Sequence, residues 1–530
     1  MISKTSRRSS WKPLWKPLIC IVILLLFAGL RFVHLQADFP LGLGDKGMTY
    51  TDEGWWSRNA VAWVREGNWY IDDGYNTITA LPVLPAVQVI WFKLFGVSLA
   101  SARTITAICS ILISGLVYLL ARRELSTDLA WIAPLIVLTN YPTFAYSRLA
   151  LLEMPMLLLI LLSLWLVTGL SPRSPLKPHR QPYFKLIISG VLFVLAVLTK
   201  TTALFALPVI LLSIYFEPGF EGTLSQSRRT KNSVKAIFVW LLTIVVVLGI
   251  GYLFLSQGGD AQSQTYFSEH NVTAKVPSLT SLWKGPLRVI ERIFRIFPLL
   301  FIGLLGAIAF LFKAKKHHSS QLFRLVVFWS VAVLGAFSLS DFAAPRYFLV
   351  LIVPMALVVP LSIEQILLER KLKSKLPTSK SKGGSFTLKQ APSTGLVLLL
   401  VFLLSTGYSL FRVGSYLSSP QFTLITTANS IERYVTSGSA QSNILMGHFA
   451  DTIALAAQDV KAVNDKMGFR SLEYRIENFS PSYYISIGKV EPYIEAALEA
   501  SYQLVLLEQF DLYQNHDYGE PVFLYQLSPL

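Results

Sequence analysis

Long apolar runs recur along this chain and constrain its fold more than any other sequence feature. Of its 530 residues, 53% are hydrophobic and only 15% are charged, whereas soluble proteins average roughly 25% charged residues. A membrane-spanning helix needs about 20 predominantly apolar residues. Twelve runs approach that length, near residues 17–35, 81–97, 104–121, 129–146, 154–170, 185–200, 202–216, 235–256, 297–312, 322–340, 346–362 and 394–411. The sequence therefore predicts an α-helical polytopic membrane protein.

Basic residues in the connections between these runs predict the topology, because cytoplasmic loops carry an excess of lysine and arginine. The basic clusters lie at 173–185, 228–235, 313–316 and 370–389. If all twelve runs crossed the membrane from a cytoplasmic N-terminus, every one of these clusters would face outside. The run 81–97 is short and interrupted by Pro82 and Pro85, so we expect it to lie along the interface as a juxtamembrane helix. About eleven spans remain, and all four clusters then face the cytoplasm.

This topology divides the chain into three parts. We predict a cytoplasmic basic tail over 1–16, a transmembrane domain over 17–411 with an external loop at 36–103, and an extracytoplasmic α/β domain over 412–530. Short buried strands are expected near 443–448, 482–487 and 521–527, and helices near 422–436 and 491–503. The first run follows a basic tail and lacks a small-residue cleavage motif, so it is predicted to stay as the first span.

Composition also excludes several kinds of site. Cys20 and Cys109 both lie inside apolar runs, which excludes a disulfide framework and a cysteine metal site. The net charge of +16 is explained by the basic loops, so nucleic acid is not expected as a partner. Membrane lipids are expected as partners.

Two adjacent carboxylates, Asp52 and Glu53, lie in the first external loop. One interpretation is structural, since Thr51 can cap a helix that opens at Asp52, where acidic side chains are favoured. The other is catalytic, with a carboxylate held just outside the bilayer acting as a base. Trp55 and Trp56 follow at once; aromatic side chains are common at membrane interfaces, but their faces also pack against sugar rings.

Further charged residues are predicted at the same outer face. Arg148 and Glu153 flank a very short connection and could form a simple interfacial pair. Lys200 interrupts an apolar stretch and could merely snorkel, and Arg346-Tyr347 begins another span from outside. Two cations at outer helix ends can instead bind the phosphate of a lipid.

Glu269 and His270 lie in a further external segment and could contact substrate or phosphate. No second histidine follows at the spacing of metal ligands. We therefore predict no resident metal, although a divalent cation stays open as an alternative.

In order and spacing, these motifs resemble the polyprenyl-phosphate-sugar-dependent glycosyltransferases of the GT-C type, which include protein O-mannosyltransferases and lipid A aminoarabinose transferases. The resemblance covers about residues 15–365. It is carried by Asp52-Glu53, the run ending in Phe95-Gly96, residues 148–155, Leu198-Thr199-Lys200 before Pro208, residues 266–270, and Arg346-Tyr347 before Pro354.

The resemblance implies an inverting transfer of sugar from a polyprenyl-phosphate donor to an acceptor hydroxyl, with Asp52 as general base. Glu53 and Glu153 would orient the acceptor or Arg58. The donor phosphate would bind Arg58, Lys200, Arg346 and Tyr347, and the substrates would also contact Trp55, Trp56, Arg148, Glu269 and His270.

Some positions differ from those relatives. The stretch Thr79-Ala80-Leu81-Pro82 lacks the lysine that aminoarabinose transferases carry there, and no arginine closely follows the Glu-His pair. The tryptophan-rich signature of oligosaccharyltransferases is also missing, so transfer of a preassembled glycan is not expected. The acceptor stays open between lipid, glycan and protein.

We expect the protein in a bacterial inner membrane, with the N-terminus in the cytoplasm and the active site and C-terminal domain outside. The main alternative is a transporter or lipid flippase. Transporters place ionisable groups near the bilayer midplane in corresponding halves, whereas the polar residues here gather at one face. A catalytically inactive relative is the third interpretation.

Overall fold

The computed structural model describes residues 15–44, 48–74, 76–168, 182–216, 226–270, 279–313, 320–339, 344–375, 394–437, 442–465, 470–513 and 520–530. The side chains of Glu269 and His270, at the end of their helix, lie outside this description. Most of the N-terminal tail and of the basic connection 371–389 also lies outside the described residues.

Helices dominate the described residues, as predicted. In the first half they are α1 (Trp15–Leu30), α2 (Met48–Glu66), α3 (Thr77–Ala80), α4 (Val83–Phe95), α5 (Leu99–Ala121), α6 (Thr127–Ala130), α7 (Ile132–Thr139), α8 (Tyr141–Tyr146), α9 (Glu153–Val167), α10 (Pro182–Thr199) and α11 (Ala206–Tyr215). The second half contains α12 (Gln226–His270), α13 (Leu279–Ile296), α14 (Pro298–Phe312), α15 (Gln321–Ser338), α16 (Ile352–Lys375), α17 (Thr394–Ser418), α18 (Thr423–Ser437), α19 (Ala450–Ala456), α20 (Leu472–Phe479) and α21 (Pro492–Glu499). Two 3₁₀ helices, Thr201–Phe205 and Pro345–Leu351, precede α11 and α16.

Each of the twelve apolar runs contains helix, but the helices differ in length. Among the described residues, five are long and apolar enough to cross a membrane, within Leu99–Ala121, Thr230–Gly251, Gln321–Ser338, Pro345–Glu369 and Thr394–Ser437. A sixth candidate span is the pair Lys284–Ile296 and Pro298–Phe312, which bends by 117° at Phe297. Most of the remaining runs form apolar helices of 10–17 residues, shorter than a full membrane crossing needs.

Helix α4, which contains the run predicted to lie at the interface, presents two different faces. Gln88 and Phe92 are buried, and the Gln88 side-chain amide donates to Ser57 Oγ of α2 at 2.8 Å. Ile90 and Leu94, on another face, are more than half exposed. A helix with one packed face and one exposed apolar face fits an interfacial position.

The described residues between 423 and 530 form a group of helices and strands that we call the C-terminal α/β unit. Its strands are β1 (Ile444–Met446), β2 (Lys461–Val463), β3 (Tyr483–Ile487), β4 (Tyr502–Phe510) and β5 (Val522–Pro529). They form one sheet in the order β2-β1-β3-β5-β4, in which β1 runs parallel to β2 and β3, while β5 runs antiparallel to β3 and β4.

The three strands expected from the sequence are present in this sheet, and β2 and β4 are additional. The helix expected over 491–503 ends at Glu499, and residues 502–510 form β4 instead. Strand β4 lies at the edge of the sheet with much of its length exposed. An edge strand therefore lacks the buried pattern that identifies the central strands.

The C-terminal α/β unit packs directly on α2. The backbone N–H of Gly54 donates to Thr452 Oγ1 at 3.2 Å, and a Cβ added at Gly54 would collide with the backbone of Thr452. Arg65 donates to the carbonyls of Ala454 and Ala457 at 2.9 and 2.8 Å, at the C-terminal end of α19. Glycine at position 54 is thus what allows α2 and α19 to approach so closely.

Candidate active site

Four charged side chains from distant parts of the chain meet in one place. Arg346 Nη2 lies 2.7 Å from Asp52 Oδ2, and Arg346 Nε lies 3.1 Å from Glu153 Oε1. The same Glu153 oxygen accepts from Lys200 Nζ at 2.5 Å. Four of the residues predicted from the sequence therefore form one continuous cluster, which we call the acid–base cluster.

Local structure explains why these side chains converge. Glu153 is the first residue of α9, where the unpaired N–H groups favour a carboxylate. Lys200 lies where α10 ends and a 3₁₀ helix begins, and Arg346 is the second residue of the other 3₁₀ helix, just after Pro345. Breaks in three apolar runs thus bring the polar side chains together.

Tyr347 completes this cluster from the side. Lys200 Nζ lies 4.2 Å from the centroid of its ring, and the Arg346 guanidinium lies 5.6 Å from it. Cations at these distances from an aromatic face are attracted by its negative potential. The ring therefore holds both cations beside the carboxylates without adding a third negative charge.

Thr51 is not the cap of a helix that opens at Asp52, as the structural interpretation of the sequence required. Helix α2 begins at Met48, three residues before Thr51, so Thr51 and Asp52 lie within the helix. The Asp52 side chain is 17% exposed, and it contacts Arg346. Burial raises the pKa of this carboxyl; the charge of Arg346 opposes the rise, and that of Glu153 adds to it. Such a carboxylate accepts a proton more readily than an ordinary aspartate.

The Glu53 carboxylate makes its hydrogen bonds with α5 and with the turn before α9, not with the acid–base cluster. Its carboxylate accepts from Arg103 Nε and Nη2 at 2.8 and 2.7 Å and from the Ala150 N–H at 2.7 Å. The pair is buried, at 1% and 2% side-chain exposure. It fixes α2 to α5 and to the turn before α9. The sequence reasoning missed Arg103, although a lone arginine at the start of an apolar run is a visible signal.

Arg58 belongs to a second buried cluster, between α2 and the C-terminal α/β unit. Its Nη2 lies 2.5 Å from Asp73 Oδ2, and its Nε lies 3.4 Å from Asp451 Oδ1. Asp73 also accepts from the Asn464 N–H at 3.0 Å. The ring of Trp55 lies 5.3 Å from the Arg58 guanidinium. Arg58 and Trp55 thus support the packing of α2 against this unit.

Arg148 binds the C-terminal end of α1 and does not pair with Glu153. Its guanidinium donates to the carbonyls of Leu30 and Arg31 at 3.2 and 3.1 Å, and it lies 5.1 and 5.3 Å from the rings of Phe144 and Tyr416. Trp56 is partly buried against the main apolar core. Among the described residues, no three His, Cys, Asp or Glu side chains gather as a metal site.

Comparison with known proteins gives matches of two kinds. Residues 80–250 match the model of the dolichyl-phosphate-mannose-protein mannosyltransferase family. The structure also resembles ArnT from Cupriavidus metallidurans, with a TM-score of 0.57 and 14% identity over 96% of this chain and 98% of that one. No curated protein matches the sequence significantly.

Two further structures were solved with lipid phosphates. ArnT bound to undecaprenyl phosphate matches with a TM-score of 0.56 and 14% identity, over 96% of this chain and 97% of that one. The oligosaccharyltransferase AglB from Archaeoglobus fulgidus, in complex with an inhibitory peptide and a dolichol-phosphate, matches with a TM-score of 0.53 and 14% identity, over 93% and 74%. The family match confirms the resemblance to GT-C glycosyltransferases and favours sugar transfer over the transporter or flippase alternative. The structural matches, at 14% identity, show a shared fold.

Proposed function

We propose that this protein is an integral-membrane glycosyltransferase that transfers a sugar from a polyprenyl-phosphate donor to an acceptor hydroxyl on the extracytoplasmic face. The observation that carries the proposal is the position of Asp52. Its carboxylate lies 2.7 Å from Arg346, a cation that can bind phosphate, and it remains partly open to solvent. A base and a phosphate-binding group are thus adjacent, as transfer from a sugar phosphate requires.

The donor phosphate would bind Arg346 and Lys200, between Tyr347 and Glu153. Without donor, the acid–base cluster carries two positive and two negative charges, so its cations are already balanced. An incoming phosphate would compete with Asp52 for Arg346, while Glu153 would keep both cations in place. Drawing Arg346 away from Asp52 removes a charge that lowers the pKa of Asp52. Donor binding would therefore make Asp52 a stronger base.

In the chemical step, Asp52 would take the proton of the acceptor hydroxyl as its oxygen attacks the anomeric carbon. The bond from that carbon to the phosphate oxygen breaks, and the phosphate leaves with the bonding electrons. Arg346 and Lys200 would stabilise the charge that develops on it. Attack from the face opposite the leaving phosphate inverts the anomeric centre. Asp52 then returns its proton to water.

The remaining predicted residues divide into two groups. We assign Glu53, Arg58, Trp55, Trp56 and Arg148 to positioning, because the contacts of their side chains are made within the protein. Glu269 and His270 keep their proposed role in binding substrate. The acceptor stays open between a lipid, a glycan and a protein.

The proposed topology has eleven spans, a cytoplasmic N-terminus and α4 at the outer interface of a bacterial inner membrane. The exposed apolar face of α4 supports this arrangement. The C-terminal α/β unit would lie outside, since it packs on α2, which carries Asp52. The helices are interrupted at residue 200 and at residues 345–351. Both interruptions would lie at the extracytoplasmic end of the bundle.

The first experiment measures transfer of radiolabelled sugar from polyprenyl-phosphate donors by purified protein. We expect Asp52→Asn to lower kcat by about 10²–10⁴-fold, the usual contribution of a positioned base, while donor binding persists. Glu66→Gln is the matched control, since Glu66 lies on the same helix, is 43% exposed and pairs only loosely with Lys461 at 3.5 Å. Equal turnover by Asp52→Asn and wild type would exclude Asp52 as the base.

The asparagine variant is expected to fold. Because the folded state raises the pKa of Asp52, ionised Asp52 lowers the stability of the fold at neutral pH. Arg346 also keeps Glu153 as a partner in the variant. Thermal unfolding in detergent should therefore show no loss of stability, and a large loss would mean that lower turnover reports misfolding.

A further inference from the structure

A cavity of about 310 Å³ lies beside the sharp bend between α13 and α14. Its walls come from that bend, from the end of α17, from the start of α8 and from the loop at 41–43. The carbonyl of Leu43, in this loop, accepts from the hydroxyl of Tyr146 at 2.6 Å. Lys200, Arg346 and Asp52 are not among its lining residues. The cavity is thus distinct from the acid–base cluster.

Two arginines, Arg295 and Arg412, are among the described residues that line this cavity. Among the lining residues that the structure describes there is no aspartate or glutamate. Arg412 donates to the hydroxyls of Tyr408 and Tyr141 at 3.0 and 3.4 Å. Arg295 Nη2 donates to the Gly44 carbonyl at 2.8 Å. The two hydroxyls that Arg412 contacts are neutral, in contrast to the carboxylates that face Arg58, Arg103 and Arg346.

Apolar surface continues from the cavity along α17. Leu404, Tyr408 and Phe411 are spaced to share one face of the helix, and they are 54%, 49% and 71% exposed. Tyr408 also lines the cavity, so this exposed face meets the charged pocket directly. The arrangement joins a cationic site to a surface suited to hydrocarbon chains.

We propose that this cavity binds the phosphate headgroup of an anionic membrane lipid, at a site separate from Lys200 and Arg346. Guanidinium groups bind phosphate through paired N–H donors, and the tyrosine hydroxyls supply further donors. The lipid chains would lie against the exposed face of α17. A free phosphate has no hydrocarbon chain and would leave that apolar surface uncovered. The inference does not depend on the sugar-transfer proposal.

The test uses native mass spectrometry of the purified full-length protein in neutral detergent. The probes are dioctanoyl phosphatidylglycerol, which is anionic, and dioctanoyl phosphatidylcholine, which is zwitterionic. We expect the wild type to bind the anionic lipid about tenfold more tightly, and Arg412→Gln to lose about that factor. Arg433→Gln, in which an exposed arginine on α18 is neutralised, should bind as the wild type does.

Three results would overturn the proposal. The first is equal affinity of the wild type for both lipids, and the second is unchanged affinity in Arg412→Gln. That variant should fold, since Arg412 pairs with hydroxyls and its loss leaves no buried carboxylate; thermal unfolding checks this. The third is displacement of the lipid by inorganic phosphate at a similar concentration, which would identify a free-phosphate site.

The donor site provides a final control. Lys200→Gln should leave binding of the anionic lipid unchanged, because Lys200 does not line this cavity. If that variant abolished binding, the lipid would occupy the donor site instead. Since sugar transfer is not measured here, failure of this inference and failure of the proposed function are distinguishable.

Discussion

At the scale of single residues, Asp52 differs from its acidic neighbours in how its carboxylate is used. Glu53 accepts three hydrogen bonds, and Glu153 contacts two cations. Both side chains are no more than 4% exposed. Asp52 has the single cation Arg346 and keeps one side open at 17% exposure. A substrate hydroxyl can therefore approach Asp52, whereas the carboxylates of Glu53 and Glu153 are occupied by contacts within the protein.

The raised pKa of Asp52 predicts the acid side of the pH–rate profile. The base works only when ionised, and its ionised fraction falls as the pH drops through its pKa. Because that pKa lies above the ordinary value of 3.8, the acid limb of kcat/KM should also lie above it. Arg346→Gln removes a positive charge that lowers the pKa of Asp52. The acid limb of kcat/KM should therefore move to still higher pH, whatever the effect of the substitution on KM.

Profiles of kcat/KM against pH for wild type, Arg346→Gln and the Glu66→Gln control provide the measurement. The control should keep the limb of the wild type. An acid limb that stays in place in Arg346→Gln would argue against Asp52 as the titrating base.

At the scale of secondary-structure elements, the orientation of α2 is fixed from both sides. Glu53 binds Arg103 of α5, and the next residue, Gly54, contacts Thr452 of α19. Asp52 lies immediately before these contacts in the sequence. Its position over the acid–base cluster therefore depends on the packing of α19 as much as on the membrane helices.

Gly54→Ala tests this dependence. The added Cβ would collide with the backbone of Thr452, and overpacking of this kind typically costs about 1–3 kcal/mol. We expect lower thermal stability and a fall in kcat, since α2 must shift. Gly115→Ala is the matched control, because a Cβ there meets no atom within 4 Å. Wild-type stability and kcat in Gly54→Ala would show that α2 can move without consequence.

At the scale of the whole molecule, one apolar core joins the membrane-facing helices to the C-terminal α/β unit. Phe92 of α4, Ala60 of α2 and Ile453 of α19 belong to the same buried cluster, together with Ile485 of β3. The unit is thus packed against both the proposed catalytic segment and α4. We therefore expect α4 and the unit to lie on one side of the membrane.

The eleven-span topology can be tested with single cysteines in a protein that carries Cys20→Ser and Cys109→Ser. Ser126 and Ser419 are both exposed. In cells, a membrane-impermeant maleimide should label Ser419→Cys from outside and should label Ser126→Cys only after permeabilisation. If α4 crossed the membrane, both results would be reversed, so the pair decides between eleven and twelve spans.

The sequence alone determined the helical class, the positions of the apolar runs and the residues of the acid–base cluster. Long apolar runs require helices because backbone groups have no water to bind in lipid. Glu153, Lys200 and Arg346 were visible because charged side chains are conspicuous at the ends of such runs. Asp52 was visible as one of two adjacent carboxylates in the first external loop.

Only the tertiary structure decided which charges pair. Sequence separation says nothing about whether Arg58 faces a donor phosphate or Asp73 and Asp451, nor whether Arg148 meets Glu153 or the end of α1. It also could not show that Glu53 is held by Arg103 while Asp52 stays open. Pairing depends on how helices pack in three dimensions, and a difference of one residue along α2 turns a side chain by about 100°.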